Sequence, residues 1–166
     1  RLSNTTIVVP NGWTTMLRMA VTPLQLPTAL TSHIGYLGIL VGQRTQRDFE
    51  AAIAPLDLVP AQYDYLATLA EHGPQSQRAL ADVLDVDPAR IVGLTDQLEG
   101  RGLVTRTTDP ADRRRNLVGL TRKGTSLTAR SARIAAELAD VITADLSTRE
   151  RTELRRLLQR VALPAS

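Results

Sequence analysis

Residues 87–120 restrict the fold of this chain more than any other stretch, because the pattern there changes from helical to strand-like. Asp87 followed by Pro88 is a strong helix start: the carboxylate can cap the first turn, and proline fits the first helical position. Residues 103–107 and 116–120 then read as two short strands on either side of a polar loop. The sequence therefore predicts a capped helix that leads directly into a β-hairpin.

Three helical patterns precede this stretch. An apolar stripe at helical spacing predicts a long first helix over 28–54, ended by Pro55. A second helix is predicted over 60–70, and a third over 77–84 with Ser76 as its N-cap. The residues of the third helix predicted to face inward are Leu80, Val83 and Leu84.

Two helices are predicted after the hairpin. The first covers 122–144, and the second starts at a capping box formed by Ser147 and Glu150. The long apolar stripes of the first helix and of these last two cannot all be buried in a domain that has its own core. A symmetric partner would cover them, which predicts a homodimer, and an intramolecular helical bundle is the alternative.

The predicted fold class is therefore mainly α (α+β), a winged helix-turn-helix domain with a helical dimerisation region. The winged domain is predicted over 56–121, with dimerisation helices over 28–55 and 122–163. Residues 1–27 contain several prolines and no regular period, so they are predicted to form a separate N-terminal extension.

Composition excludes several classes of function. The 166-residue chain has no Cys and only two His, far apart in sequence, and it contains no phosphate-binding glycine loop. We therefore predict no enzyme activity, no metal site and no cofactor. No apolar run is long enough to span a membrane, and we expect a cytoplasmic protein. Nearly all basic residues are Arg, which suits phosphate and guanine but also accompanies GC-rich genomes.

The order of the predicted elements is that of a helix-turn-helix followed by a wing. The second helix of that motif enters the major groove N-terminus first, which makes Ala89 and Arg90 candidates for base contacts, with Arg90 directed at guanine. The tip of the hairpin carries Arg113, Arg114 and Arg115, suited to the negative potential of the DNA backbone or minor groove. A winged-helix module that binds protein is the alternative, but it would not need three arginines there.

Four sequence blocks resemble, in order and spacing, those of the MarR family of multiple-antibiotic-resistance regulators. They are 76–81 (SQRALA), 102–104 (GLV), 109–114 (DPADRR) and 120–124 (LTRKG). The resemblance extends over about 28–162. It implies a triangular homodimer that binds double-stranded, pseudo-palindromic operator DNA and regulates transcription, most simply as a repressor.

The resemblance also assigns individual residues. Arg114 matches the family's wing arginine, and Asp112 is expected to orient the wing through an ion pair. Val92 and Gly93 stand where a small polar and then a basic residue are usual, so Val92 is restricted to a thymine methyl or sugar and Gly93 to close backbone approach. Candidate contacts to the DNA backbone are Ser76, Gln77 and Gln97.

Members of this family commonly bind a small aromatic or phenolic effector between the dimerisation helices and the winged domain. In this chain the lining of such a pocket would come from His33, Tyr36, Leu37, Tyr63 and Leu66. The alternative is that these five residues are ordinary interface and core residues.

Overall fold

The computed structural model describes residues 26–163, so the predicted extension over 1–27 lies almost wholly outside the described residues. The chain divides into two units, the first ending at Val41 and the second beginning at Gly42. No helix in the described part is long and apolar enough to cross a membrane. The elements are α1 (Thr28–Thr31), α2 (Ile34–Ile53), α3 (Pro60–His72), α4 (Gln77–Leu84), α5 (Pro88–Gly100), β1 (Val104–Thr108), β2 (Asn116–Leu120), α6 (Arg122–Ile142) and α7 (Thr148–Ala162).

The prediction of one continuous helix over 28–54 is wrong, because the helix is interrupted at Ser32 and His33. The Thr31 hydroxyl donates to the Thr28 carbonyl at 3.4 Å, and the Ser32 hydroxyl donates to the Ala29 carbonyl at 3.3 Å. Hydroxyl side chains of this kind compete with the backbone for its hydrogen bonds. The chain therefore forms the short helix α1 and then starts again with α2.

Helix α2 ends at Ile53, close to the predicted end at Pro55. A single 3₁₀ turn, Ala54–Leu56, follows, and Asp57 then takes a left-handed conformation with φ of 54°. Proline at the first position of α3 has a fixed φ that suits the helix start. This turn connects α2 to the winged domain.

The core of the second unit lies where α3, α4, α5 and the hairpin meet. Tyr65, Leu66 and Leu69 of α3 are buried there, with Ile91, Leu94 and Leu98 of α5 in the same core. In α4 the prediction for Val83 is wrong, because its side chain is 60% exposed and Ala81 is buried instead. At about 100° per residue, the buried face is centred between Leu80 and Ala81, and Val83 points away from it.

Helix α5 begins and ends with local motifs. Asp87 accepts a hydrogen bond from the Ala89 N–H at 2.7 Å, which confirms the predicted cap. At the other end Gly102 has φ of 68°, the Gly102 N–H donates to Glu99 and the Leu103 N–H donates to Leu98. This is a Schellman motif, in which glycine takes the left-handed position without steric cost.

The hairpin pairs β1 with β2 in antiparallel register, from Val104 opposite Leu120 to Thr108 opposite Asn116. Strand β1 starts at Val104, one residue later than predicted, and β2 has the predicted bounds. The outer edge of β2 is also paired, since Val118 exchanges both backbone hydrogen bonds with Gln75 at 2.8 and 3.0 Å.

Helices α6 and α7 follow with caps at Thr121 and Ser147, the second as the predicted capping box. Helix α6 ends at Ile142, two residues before the predicted end. Helix α7 has no buried residue in the single chain, and its apolar residues remain exposed. They are Leu154, Leu157, Leu158 and Val161.

Candidate nucleic-acid interface

The first two turns of α5 form one part of the candidate interface. Ala89 and Arg90 are exposed in the first turn, and Arg90 forms no ion pair with any residue in the range 26–163. Val92 is 44% exposed, and a Cβ added at Gly93 would meet nothing within 4 Å. The first two turns of α5 therefore offer a polar group at Arg90, an apolar surface at Val92 and room for close backbone approach at Gly93.

Helix α4 precedes α5 and contributes its N-terminus. The Ser76 hydroxyl accepts from the Ala79 N–H at 3.1 Å, which leaves its own hydrogen free to donate to a phosphate. The Gln77 amide nitrogen is buried and has no hydrogen-bond partner among the described residues. Ser76 thus caps α4 and retains one hydroxyl hydrogen that it can donate.

Gln97 lies apart from the other candidates on α5. It accepts a hydrogen bond from the Gln62 amide at 3.3 Å, and Gln62 also accepts from Arg101 at 3.2 Å. Seven residues separate Gln97 from Arg90, which is about 10 Å along a helix. The structure therefore joins Gln97 to α3 and to the C-terminal end of α5, away from the first turn.

The wing tip is a loop ordered by its own aspartates. Asp109 accepts from the Ala111 N–H at 2.8 Å, and Asp112 accepts from the Arg114 N–H at 3.0 Å. The backbone N–H of Asp109 donates to the Arg115 carbonyl at 2.9 Å. All three arginine side chains of the tip are exposed. The loop thus presents three cations on a backbone that internal hydrogen bonds hold in shape.

The prediction that Asp112 orients the wing through an ion pair is wrong. Within 26–163 Asp112 has no ion pair, and its carboxylate is used by the backbone N–H two residues later. Such Asx turns are a common use of aspartate in loops. Asp112 therefore acts on the local conformation of the loop, and the Arg114 guanidinium remains available.

The residue that joins the wing to α5 was not among those predicted from the sequence. Arg106 of β1 forms ion pairs with Asp96, at 2.5 Å, and with Glu99, both on α5. These hydrogen bonds, above all the one to Asp96, raise the pKa of Arg106. The sequence signal was two acidic residues three apart on α5, followed by one arginine on the next strand, which is compatible with an ion pair but does not say where the strand passes the helix.

A buried hydrogen bond fixes α5 against α3. The Thr95 hydroxyl donates to the Ile91 carbonyl at 2.7 Å, so the Tyr65 hydroxyl, also at 2.7 Å, is the donor to Thr95. Both side chains are fully buried, and burial raises the pKa of Tyr65. The orientation of α5 relative to α3 thus depends in part on a polar contact inside the core.

Comparison with known proteins agrees with this geometry. The family model described as "MarR family" matches residues 58–115, which include α3 to α5 and the wing up to Arg115. The chain is 31% identical over 135 residues to the HTH-type transcriptional repressor NicR of Pseudomonas putida, covering 81% of this chain and 85% of that protein. This chain belongs to the MarR family.

Solved structures of MarR-type regulators have the same fold. CouR from Rhodococcus jostii RHA1, bound to p-coumaroyl-CoA, is 32% identical with a TM-score of 0.74, covering 84% of this chain and 99% of CouR. CouR bound to a 23-mer DNA duplex is 33% identical with a TM-score of 0.75, covering 83% of this chain and 99% of CouR. The chain is thus a DNA-binding transcriptional regulator with the winged-helix fold of the MarR family.

The residues predicted to line an effector pocket lie in both units of this MarR-family chain. In the first unit His33 and Leu37 are exposed and Tyr36 is half-buried. In the second, Tyr63 packs edge-on against Phe49 with ring centroids 5.0 Å apart. Leu66 is fully buried in the core, so in this conformation it has no surface to offer a ligand.

Proposed function

We propose that this MarR-family regulator is a repressor that binds a pseudo-palindromic operator as a homodimer. The observation that carries the proposal is the pairing of an exposed first turn of α5 with an ordered wing tip of three exposed arginines. These are the two parts of a winged helix that touch DNA. A regulator of this kind works where the chromosome is, so we place it in the cytoplasm.

Base readout in this proposal comes from α5 and backbone contact from the wing. Arg90 donates to guanine in the major groove, and Ala89, Val92 and Gly93 shape the contact around it. Ser76 would contact a flanking phosphate through its hydroxyl, and Gln77 would do so through its backbone N–H, because its side-chain amide nitrogen is buried. Gln97 would contact the DNA backbone only at the far end of the helix. The wing would use Arg113, Arg114 and Arg115, with Asp112 holding the loop.

Replacing Arg114 by Ala tests the wing. If Arg114 contacts a phosphate or the minor groove, the slope of log affinity against log salt should fall by about 1 per subunit and about 2 per dimer. Arg130, an exposed arginine on α6, is the matched control, and its replacement by Ala should leave the slope unchanged. A wild-type chain that shows no salt-dependent retention of duplex DNA would refute DNA binding and favour a protein-interaction module.

Replacing Arg90 by Ala tests base readout. On the operator the variant should lose about 1–3 kcal/mol per half-site, and on a mixed-sequence duplex almost nothing. Equal losses on both duplexes would show that Arg90 serves as a phosphate contact. Fluorescence anisotropy with both duplexes at one salt concentration separates the two outcomes.

Support for a homodimer comes from the apolar residues on α7. Leu157 is 44% exposed and Val161 is 84% exposed in the single chain, in a helix with no buried residue. A helix of this kind needs a partner surface, and a two-fold related copy supplies one without a second gene product. Two copies would also present two α5 helices to the half-sites of a palindrome.

The effector part of the proposal rests on the relatives and on the aromatic residue Tyr36 of α2. CouR binds p-coumaroyl-CoA, which contains a phenolic ring. We expect a small phenolic acid to stack on Tyr36 and to hydrogen-bond with His33, which both lie in the first unit. It would release DNA only if it binds the released state more tightly than the DNA-bound state.

Titration with salicylate and with p-coumarate, followed by the release of labelled operator, tests the effector. Tyr36→Ala and His33→Ala should weaken release without changing DNA affinity in the absence of the compound. If neither variant alters release, these residues belong to the interface and core. Thr125→Ala, an exposed change on α6, serves as the control.

A further inference from the structure

Arg106 makes three contacts with α5 from a single position on β1. Its backbone N–H donates to one oxygen of the Glu99 carboxylate at 3.0 Å, and its guanidinium donates to the other. The guanidinium also donates to Asp96 at 2.5 Å. Main chain and side chain of one strand residue are thus both attached to the same helix. We call this set of contacts the Arg106 clamp.

The clamp lies at a position where the wing is held from both sides. Arg106 is paired with Val118 on β2, and Val118 is itself paired with Gln75 on its outer edge. At this level the ribbon is therefore attached to α5 through β1 and to the turn before α4 through β2. The tip starts at Asp109, three residues further along, so it projects from a fixed base.

In the clamp the positive charge of Arg106 is neutralised by the two carboxylates. Helix α5 carries Arg90 with Asp96 and Glu99, so its side chains sum to one positive and two negative charges, a net charge of −1. Arg106 offsets this net charge, and only 26% of its side chain is exposed. A guanidinium held by two carboxylates is not free for a phosphate, so any effect of Arg106 on DNA binding must act through geometry.

We propose that Arg106 is a positioning residue for DNA binding, which sets the distance and angle between the Arg-bearing wing tip and the first turn of α5. The proposal rests on the proposed function. When Arg106 is bonded to Asp96 and Glu99, Arg114 can contact the DNA backbone at the same time as Arg90 contacts the major groove. When these bonds are absent, the wing can still approach DNA, but Arg114 is no longer held at the position that matches the contact made by α5.

A double-mutant cycle separates positioning from general structure. The probe is a duplex selected by the wild-type protein from a random pool, with a mixed-sequence duplex as reference. Arg106→Gln should weaken operator binding about fivefold or more, a typical size for coupled sites. The decisive readout is Arg114→Ala, which should cost a clearly smaller factor in the Arg106→Gln background than in the wild type.

Arg101→Gln is the matched control for the cycle. Arg101 is 27% exposed, lies at the end of α5 and pairs with Asp57 at 3.2 Å. Its side chain also donates to Gln62 and to the Leu56 carbonyl, and none of these three partners belongs to the wing. It loses the same charge at similar burial. Its effect should multiply independently with that of Arg114→Ala, as for sites without shared partners.

For Glu99→Gln, the electrostatic and the positioning explanations predict changes in operator affinity of opposite sign. Removing a negative charge close to DNA should tighten binding if electrostatics alone decides. If Glu99 holds the clamp, the same change should weaken operator binding. Thermal unfolding of each variant confirms that it is folded under the binding conditions.

Any one of three results would overturn the proposed positioning role of Arg106. They are tighter or unchanged operator binding by Glu99→Gln, unchanged binding by Arg106→Gln, or the same Arg114→Ala factor in both backgrounds. If instead the wild-type protein selects no duplex and retains none, both the proposed function and the positioning role of Arg106 are refuted. If the wild-type protein selects a duplex but the clamp variants bind it normally, only the positioning role is refuted.

Discussion

Gly124 lies in the first turn of α6, where a methyl group has no room. A Cβ built on this glycine would be 2.0 Å from the backbone oxygen of Leu103 and 3.0 Å from its carbonyl carbon. That oxygen is already engaged, because it accepts from the backbone N–H of Thr121 at 3.0 Å, while the Thr121 hydroxyl donates to the neighbouring Gly102 carbonyl at 2.7 Å. Gly124→Ala must therefore push α6 away from the segment that joins α5 to the wing.

The size of the effect follows from three opposing contributions. A carbon normally approaches a carbonyl oxygen to about 3.3 Å, so α6 would have to move by about 1.3 Å. Overpacking of this kind costs about 1–3 kcal/mol, and disturbing the bond to the Leu103 oxygen costs about 1 kcal/mol more. Helix propensity acts the other way by about 1 kcal/mol. We expect a net loss of about 1–3 kcal/mol, or about 2–12 °C in Tm.

Urea unfolding followed by circular dichroism measures this loss, with all proteins at one protomer concentration because dimerisation contributes to stability. Gly93→Ala is the control, since Gly93 is inside α5 and an added Cβ there meets nothing within 4 Å. It should gain up to about 1 kcal/mol. A Gly124→Ala protein as stable as the wild type would show that the packing of α6 against Leu103 is looser than described here.

Three further outcomes are expected. Thr95→Val should cost about 1–3 kcal/mol by leaving the buried Tyr65 hydroxyl without its acceptor, more than Tyr65→Phe costs, and equal losses in urea unfolding would contradict this. Leu157→Asp should give a monomer in light scattering at micromolar concentration, because a charge would be placed in the proposed dimer interface, whereas a persistent dimer would exclude α7 from that interface. The Ser147 hydroxyl and N–H donate to Glu150 and lower its pKa, so the stability from this cap is present above the ordinary Glu pKa and is lost as pH falls through the lowered value. In an NMR titration Ser147→Ala should raise the pKa of Glu150, and an unchanged value would mean that the cap does not form in solution.

Features determined by neighbouring residues could be predicted from the sequence. The caps at Ser76, Asp87 and Ser147 depend on a side chain and a backbone N–H two or three residues away, so a short pattern identifies them. The bounds of β2 and the start of α5 were predictable for the same reason. The interruption at Ser32 is also local, but the apolar stripe that runs through it concealed it.

Features that depend on tertiary contacts were not predictable from the pattern. Val83 fits an inward position by its residue type, yet the angle at which α4 packs turns Ala81 inward instead. The role of Arg106 depends on where β1 passes α5, and spacing alone does not give that placement. In the candidate interface, the sequence identified the arginines of the tip, but not how the wing is attached to α5.

The paired outer edges of the wing have a consequence for association between molecules. An unpaired strand edge is a template for strands of other molecules, and a two-stranded ribbon has two such edges. Here Gln75 occupies the edge of β2 at Val118, and the Glu99 carboxylate accepts the N–H that β1 presents at Arg106. The stem of the wing is thereby protected against edge-to-edge aggregation. Residues inserted between Asp109 and Arg115 should therefore lengthen the tip without shifting the strand register or exposing an unpaired strand edge.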